Sequence, residues 1–349
     1  MKLQQTMRVA MYYSNNDIRI EEMPVPPIGD SETLLRVEAS GICGSDVMEW
    51  YRKDRVPLVL GHEVSGTLVK VGKRVKKFKE GDRVVVTHHV PCGECQYCRS
   101  GHPTVCELLR KTNFYPGGFS EFIRIPAVNI IRGMMSLPKG MTFEEATFVE
   151  PLGCVVRGQR LAGMKKGKHV LILGAGLAGL LHVKVAKHLG AKSIIATDVD
   201  SYRLSAAEKS GATAVYAKEN IPERVKEITK GHLADLVIVC SGAQAALESG
   251  LRSVARGGTV LLFSAAEKDS HLPVNTNDIF WRSEVSILSS YAAAPEDLKQ
   301  ALDLIAKKKV NVRDMITHRL PLADIQKGFD LVVKPQHSMK VIIEPNYRR

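Results

Sequence analysis

Four of the seven cysteines fall within fifteen residues, as Cys92-Gly93-Glu94-Cys95-Gln96-Tyr97-Cys98 followed by Cys106. Gaps of two residues put neighbouring thiolates within reach of one ion. A fourth thiolate returning from a short loop completes a tetrahedron of soft sulfur ligands, the set that suits Zn²⁺. Four sulfurs leave no coordination position open, so such an ion is structural: it holds a loop with little core of its own and binds as part of folding. The same thiols could instead form two disulfides, which a reducing compartment disfavours, or hold an iron–sulfur cluster.

A second constellation has different chemistry. Cys43 lies in Gly41-Ile42-Cys43-Gly44-Ser45-Asp46, a glycine-flanked turn from which a thiolate can face a cleft. Nineteen residues later comes His62, in Gly61-His62-Glu63, and far downstream Glu150 precedes Pro151. One thiolate, one imidazole and one or two carboxylates, with room for water, describe an open and hence catalytic zinc site. A His-Glu pair on a turn is otherwise simply solvated. Of the two remaining cysteines, Cys240 ends the apolar run Leu236–Cys240 and reads as a buried strand residue; Cys154 fits either a core or the edge of a site.

A third motif needs a strand before it and a helix after it. The run His169-Val170-Leu171-Ile172-Leu173 leads directly into Gly174-Ala175-Gly176-Leu177-Ala178-Gly179, and a helical stretch follows to Leu189-Gly190. The first glycine permits the tight turn, the second lets a pyrophosphate approach the backbone, and the third lets helix pack on strand. The next β-branched run, from Ser193, ends in Asp198, nineteen residues after Gly179. An acid there accepts from the adenine-ribose hydroxyls and repels a 2′-phosphate, which favours NAD over NADP. Arg203 lies close behind it and is expected against the adenine. Further runs at Leu236–Cys240 and Thr259–Phe263 continue the alternation of strand and helix that marks a doubly wound parallel sheet.

The 349 residues suit two domains at about 150 residues each. Hydrophobic content of 44% and charged content of 25% are those of a globular chain. No apolar run reaches the roughly 18 residues that cross a bilayer, and the start of the chain lacks an apolar signal core, so the expectation is a soluble, cytoplasmic protein without a membrane partner. Forty-nine Lys and Arg against 37 Asp and Glu give a net charge of +12, which raises nucleic acid as a partner. The basic residues come in short scattered runs such as Lys73–Lys79 and Lys307–Lys309, with no interleaved basic and aromatic face, so no nucleic-acid partner is expected.

Taken in order, these motifs resemble the zinc-dependent medium-chain dehydrogenases, and Glu150 before Pro151-Leu152 resembles the polyol (sorbitol-like) and threonine dehydrogenase branches. The resemblance runs to Thr317–Leu322 near the end of the chain. It implies a GroES-like β-barrel catalytic domain from residues 1–152 and 287–349, with a Rossmann domain, residues 153–286, inserted between, and a cofactor and catalytic zinc meeting in the cleft. It implies two zinc ions per chain, NAD, a small secondary alcohol as substrate and a homodimer or homotetramer. Cys43, His62, Glu63 and Glu150 become catalytic zinc ligands, the two glutamates binding directly, through water or in exchange. Cys92, Cys95, Cys98 and Cys106 hold the structural ion. Asp46 orients His62 from behind, and Ser45 takes the hydroxyl proton.

In many relatives a histidine three residues after that serine passes the proton on; here Met48 stands there, leaving water, the cofactor ribose, His88, His89 or Glu49 as the route. The stretches Ser45–Tyr51, Thr112–Phe114 and Ser289–Tyr291 are candidate substrate walls, the last at the expected return to the catalytic domain. Tyr51 with Arg52, Lys53 and Arg55 could read an anionic group. Alternatives are an L-threonine 3-dehydrogenase-like enzyme, a carbonyl reductase, and a non-catalytic cofactor-binding or zinc-containing nucleic-acid-binding protein.

Overall fold

All five side chains of the strand His169–Leu173 are buried, which a run with no polar alternation requires: such a strand must be covered on both faces. In the computed structural model, which describes residues 4–266, 268, 270–272 and 274–347, this strand lies inside a six-stranded parallel sheet. The sheet runs Thr213–Tyr216, Ser193–Asp198, His169–Leu173, Ala234–Val239, Val254–Leu262, Ser286–Ser289. Numbered by chain position that order is 3-2-1-4-5-6, the doubly wound arrangement whose strand order reverses beside the first strand. Its core gathers Leu171, Leu173, Ile195, Val215, Val225, Val237, Val239 and Val260.

The chain divides into two compact units, one of residues 1–151, 292–308 and 312–349, the other of residues 152–291 and 309–311. The parallel sheet belongs to the second unit. Its last strand, Ser286–Ser289, pairs in parallel with Thr259–Leu262, so the sheet continues past residue 287 and the unit runs on to Tyr291. Ser286 and Ser289 are exposed and Ile287 and Leu288 half-buried, a pattern too weak to announce an edge strand. Cys240 is likewise not a buried strand residue but sits half-buried just past its strand.

In the first unit the strand Thr33–Gly41 organises a larger, mainly antiparallel sheet. It pairs with Glu63–Val71 and Phe122–Ile125 and, at its end, with Lys340–Glu344. Glu63–Val71 pairs in turn with Arg83–Thr87. A second, three-stranded sheet orders Asp17–Pro24, Thr6–Ser14 and Leu58–Val59. Tyr12, Phe119 and Phe329 pack together at its core, with ring centroids 5.8 and 5.9 Å apart.

Register sets the chemistry. Gly41 lies opposite Glu63, and Glu63 opposite Thr87. The turn after the first strand, the residue before the second and the residues after the third therefore emerge at one end of the sheet, which brings Cys43, His62 and His88 together. The amide of Ile42 donates to Val341, adding the start of the strand Lys340–Glu344 to the same end.

Candidate active site

Cys43, His62 and Glu63 offer ligand atoms that all lie within 4.8 Å of one another. Each is held by its surroundings. Gly61, before His62, has φ +91°, and a β-carbon there would sit 2.8 Å from the Phe119 amide nitrogen, so the turn that aims the imidazole needs glycine. Asp46 is fully buried; its Oδ2 accepts from the Cys43 amide at 3.0 Å and its Oδ1 lies 3.3 Å from His62 Nδ1. Orientation of a ligand imidazole by a carboxylate on its other nitrogen is the usual support of a zinc site. Burial works against the charged forms. Even so, the His62 ring, the Cys43 amide and Arg52 hold Asp46 below the usual carboxylate range, and Asp46 and the Cys43 thiol hold His62 well above the usual imidazole range. An imidazole set between a carboxylate and a thiol is a donor set that a metal cation satisfies. The Ser45 hydroxyl lies 3.4 Å from Cys43 Sγ, at the edge of the cluster.

Glu63 is 1% exposed and its Oε1 has no hydrogen-bond partner. Its Oε2 pairs with Lys340, whose side chain is equally buried and reaches the Ile42 carbonyl at 3.4 Å. Lys340 was not legible as a site residue, because it stands 277 positions away and carries no motif. One carboxylate oxygen thus holds an ion pair and the other has no hydrogen-bond partner, and the carboxylate reaches within 4.8 Å of the Cys43 and His62 ligand atoms, so the donor set fits a divalent cation. Removing one member of a buried pair strands the other charge and costs about 3–5 kcal/mol. Lys340→Met is therefore expected to lower unfolding free energy by about that much in metal-free protein, and by less with zinc bound, as the ion then faces Glu63. Urea denaturation with and without zinc checks this; equal losses in the two forms contradict the arrangement.

The four-cysteine lobe is a second, separate cluster. Cys92, Cys95, Cys98 and Cys106 place their sulfurs within 4.8 Å of one another. Cys95 and Cys98 Sγ are 3.5 Å apart and Cys92 and Cys98 Sγ 3.8 Å, far beyond a disulfide bond. A zinc tetrahedron with bonds near 2.3 Å has sulfur–sulfur edges of about 3.8 Å, so the four thiols fit that ion. Backbone amides point at the sulfurs, from Cys95 to Cys92 at 3.2 Å and from Cys92 to Cys106 at 3.3 Å. Burial opposes ionisation of Cys106, but the amides of Cys92 and Leu109 win and lower its thiol to about 6.

In the parallel-sheet unit the helix Leu177–His188 starts directly after Gly176. A β-carbon on Gly179 would lie 1.9 Å from the Gly174 carbonyl oxygen, so only glycine lets helix and turn close. On Gly176 it would meet nothing nearer than Arg203 at 3.9 Å, which leaves the space a diphosphate needs. Leu177 and Ala178 form the first turn of the helix. Asp198 Oδ2 accepts from the Ala175 amide at 2.8 Å and Oδ1 from the Val199 amide at 2.8 Å. The Arg203 guanidinium lies 3.7 Å from Asp198 and close to Gly176 of the glycine turn. The turn thus fits a dinucleotide, and the acid that would read its ribose also ties the turn to the second strand.

Residues 29–139 match the family model described as an alcohol dehydrogenase GroES-like domain, and residues 178–307 the one described as a zinc-binding dehydrogenase. An L-threonine 3-dehydrogenase of Bacillus licheniformis is 37% identical over 333 residues, covering 93% of this chain and 94% of the relative. A sorbitol dehydrogenase of Bacillus subtilis is 31% identical over 354 residues, covering 98% of each. Two solved structures have a TM-score of 0.87 and cover 98% of this chain and 100% of their own. One, 28% identical, is assigned to the zinc-binding dehydrogenases of Sinorhizobium meliloti and carries NADP; the other, 26% identical, is an alcohol dehydrogenase of Escherichia coli with NADH. The chain belongs to the zinc-binding dehydrogenases. It is a zinc-dependent alcohol oxidoreductase with a nicotinamide cofactor, built from a GroES-like part and a Rossmann-type part.

In this zinc-binding dehydrogenase the expected ligand Glu150 is not brought into the Cys43, His62 and Glu63 cluster. It is the second residue of the helix Val149–Leu161, outside the strand register that gathers the others, although it lines one small cavity with Glu63 and Thr87. His88 and His89 do reach the site. The rings of His62 and His88 are 4.8 Å apart and those of His88 and His89 3.7 Å. Burial pushes both down, His89 to about 4, so they stand neutral at pH 7 as hydrogen-bonding groups. Of the other relay candidates, Met48 carries no proton, and Glu49 Oε1 accepts from the Asn15 amide at 3.2 Å. Thr112 and Phe114 are buried, Thr112 accepting from the Val90 amide at 3.0 Å, which makes them support for the His88 segment rather than an open wall.

Proposed function

We propose that the protein oxidises the secondary alcohol of a polyol, sugar alcohol or related hydroxy compound with NAD, and reduces the matching ketone in reverse. The observation that carries this reading is the convergence of Cys43, His62 and the buried Glu63 carboxylate, one of whose oxygens has no hydrogen-bond partner, at one sheet end. Cys43, His62 and Glu63 would hold the catalytic zinc, and Glu150, which lines one small cavity with Glu63, would act through water or in exchange with it. The four-cysteine lobe would hold a second ion. When bound, zinc supplies a Lewis acid for the carbinol oxygen and the nicotinamide supplies the carbon that takes the hydride.

The chain's own residues do the rest. Ser45, beside Cys43, accepts the hydroxyl proton and hands it to solvent or ribose, since Met48 cannot relay it. Asp46 fixes the tautomer and direction of His62. The neutral His88 and His89 give the site a polar flank, which suits a polyhydroxylated substrate better than a simple aliphatic alcohol. The named relatives act on sorbitol and L-threonine, and a 3-hydroxy amino acid is the second reading. Zinc analysis with NAD-coupled turnover of polyols and threonine tests the class and separates the two readings.

Preference for NAD rests on Asp198. Asp198→Ala is expected to weaken NAD by about tenfold and NADP by less, because the carboxylate repels a 2′-phosphate while also steadying the glycine turn. Binding titrations of both cofactors check this; an unchanged ratio places the preference elsewhere. We also propose a cytoplasmic homodimer or homotetramer. Reduced zinc thiolates suit that compartment, and the exposed Phe280 and Trp281, just before the edge strand Ser286–Ser289, suit self-association. No helix among the described residues is long and apolar enough to cross a membrane.

A further inference from the structure

The helix Glu49–Arg52 begins three residues after Asp46, and its end carries cations that neither metal cluster uses. Arg52 donates from Nη2 to the Ser45 carbonyl at 3.1 Å and lies 3.9 Å from Asp46 Oδ1, with its side chain 13% exposed. Its guanidinium stands over the Tyr51 ring, 4.8 Å from the centroid, and the Arg55 guanidinium stands over the same ring at 4.9 Å. Tyr51, Lys53 and Arg55 are exposed, and among the described residues neither Lys53 nor Arg55 forms an ion pair. Of the acidic neighbours, Asp46 lies 3.9 Å from Arg52 and partly offsets its charge while also serving His62, Glu49 accepts from the Asn15 amide, and among the described residues Asp54 pairs with neither arginine.

Two guanidiniums share one aromatic ring here, and among the described residues that of Arg55 has no ion-pair partner. Stacking fixes their positions, while their like charges leave a positive field directed at whatever approaches. Arg52 is bonded to the backbone of Ser45, whose hydroxyl is 3.4 Å from Cys43 Sγ, so this field borders the place where the carbinol must sit. We propose that Arg52, Lys53 and Arg55, arranged on Tyr51, form a subsite for an anionic substituent of the alcohol substrate, a phosphate or a carboxylate, a few bonds from the reacting carbon. The proposal rests on the dehydrogenase reading and deepens it, since it names the substrate as an anionic hydroxy compound rather than a neutral polyol.

The test uses the zinc-loaded enzyme with NAD and matched substrates: neutral polyols, their monophosphates, and hydroxy acids including threonine. The expected result is a kcat/KM at least about tenfold higher for one anionic class than for its neutral counterpart, with an advantage that shrinks as salt rises. The phosphate and carboxylate arms separate the two sources of charge. Arg55→Gln is expected to lower the anionic-to-neutral ratio about tenfold and Arg55→Lys to restore most of it, because charge rather than bulk is read. Calorimetric titration with inorganic phosphate and with acetate gives a readout independent of turnover, and the binding seen is expected to be lost in Arg55→Gln. Equal turnover of neutral and anionic substrates, insensitive to salt and to Arg55→Gln, overturns the proposal. Anion binding that depends on Arg55, without NADH formation from any alcohol, instead overturns the dehydrogenase reading and leaves the subsite standing.

Discussion

Replacing Cys43 by serine or His62 by alanine is expected to lower kcat/KM by at least about a thousandfold, since the ion they hold supplies several kcal/mol of transition-state stabilisation. NAD affinity should change by no more than about twofold, because the glycine turn and Asp198 belong to the other compact unit. Two controls make the result interpretable. Zinc content should fall by one ion per chain, not two, because the four-cysteine lobe is a separate cluster. Asp46→Asn, which keeps the shape but weakens the support of His62, should give a smaller loss, on the order of 10–100-fold. Substantial turnover by a Cys43 or His62 variant shown to lack its zinc would remove that residue from the catalytic set.

Loss of a lobe cysteine should act on stability before activity. Cys106→Ala or Cys92→Ser opens a closed four-sulfur site, and the lobe has little else to hold it. Thr104, Cys106 and Leu109 are buried, whereas Tyr97, Val105 and Leu108 are exposed. Structural zinc contributes about 10–16 kcal/mol in small domains, as much as the whole net stability of a typical domain of about 5–15 kcal/mol. The expected outcome is one zinc per chain instead of two, a clearly lower thermal midpoint, and proteolytic cleavage between residues 92 and 111. Removal of zinc from the parent by a chelator should reproduce the cleavage. An unchanged zinc content and midpoint in either variant would show that the lobe stands without its ion.

The parts most legible in the sequence are those whose partners lie close along the chain. Two-residue cysteine gaps and a glycine turn between a buried strand and a helix are local geometry: the structure gathers the four sulfurs and sets the turn between His169–Leu173 and Leu177–His188. His62 and Cys43 were also legible, because each sits on a glycine-bearing turn beside an apolar run. Lys340 was not: its role exists only through the pairing of the strand Lys340–Glu344 with the end of Thr33–Gly41. The same register carries Glu63 into the cluster with Cys43 and His62, whereas Glu150 stands on a helix, a difference between two carboxylates that the sequence treats as equivalent. The edge strands Thr213–Tyr216 and Ser286–Ser289 escaped because edges are half-exposed and lose the continuous apolar run that marks central strands. Met48 remained readable as a departure, and the structure adds that Glu49 is already engaged with Asn15.

Net charge is the feature whose meaning changed most. The excess of +12 first points toward nucleic acid, yet part of it is concentrated at Arg52, Lys53 and Arg55 beside the Ser45 turn. There a local field selects a small anionic substrate instead of a polymer.

The central claim is that the Cys43, His62 and Glu63 cluster makes this chain an NAD-linked alcohol dehydrogenase. It is tested most directly by following NADH absorbance as the zinc-analysed enzyme meets a panel of secondary alcohols, polyols, their phosphates and threonine. The expected result is NADH formation with at least one of them, at about two zinc ions per chain, abolished in His62→Ala. Enzyme that carries both ions and binds NAD, yet forms no NADH with any member of the panel, would contradict it.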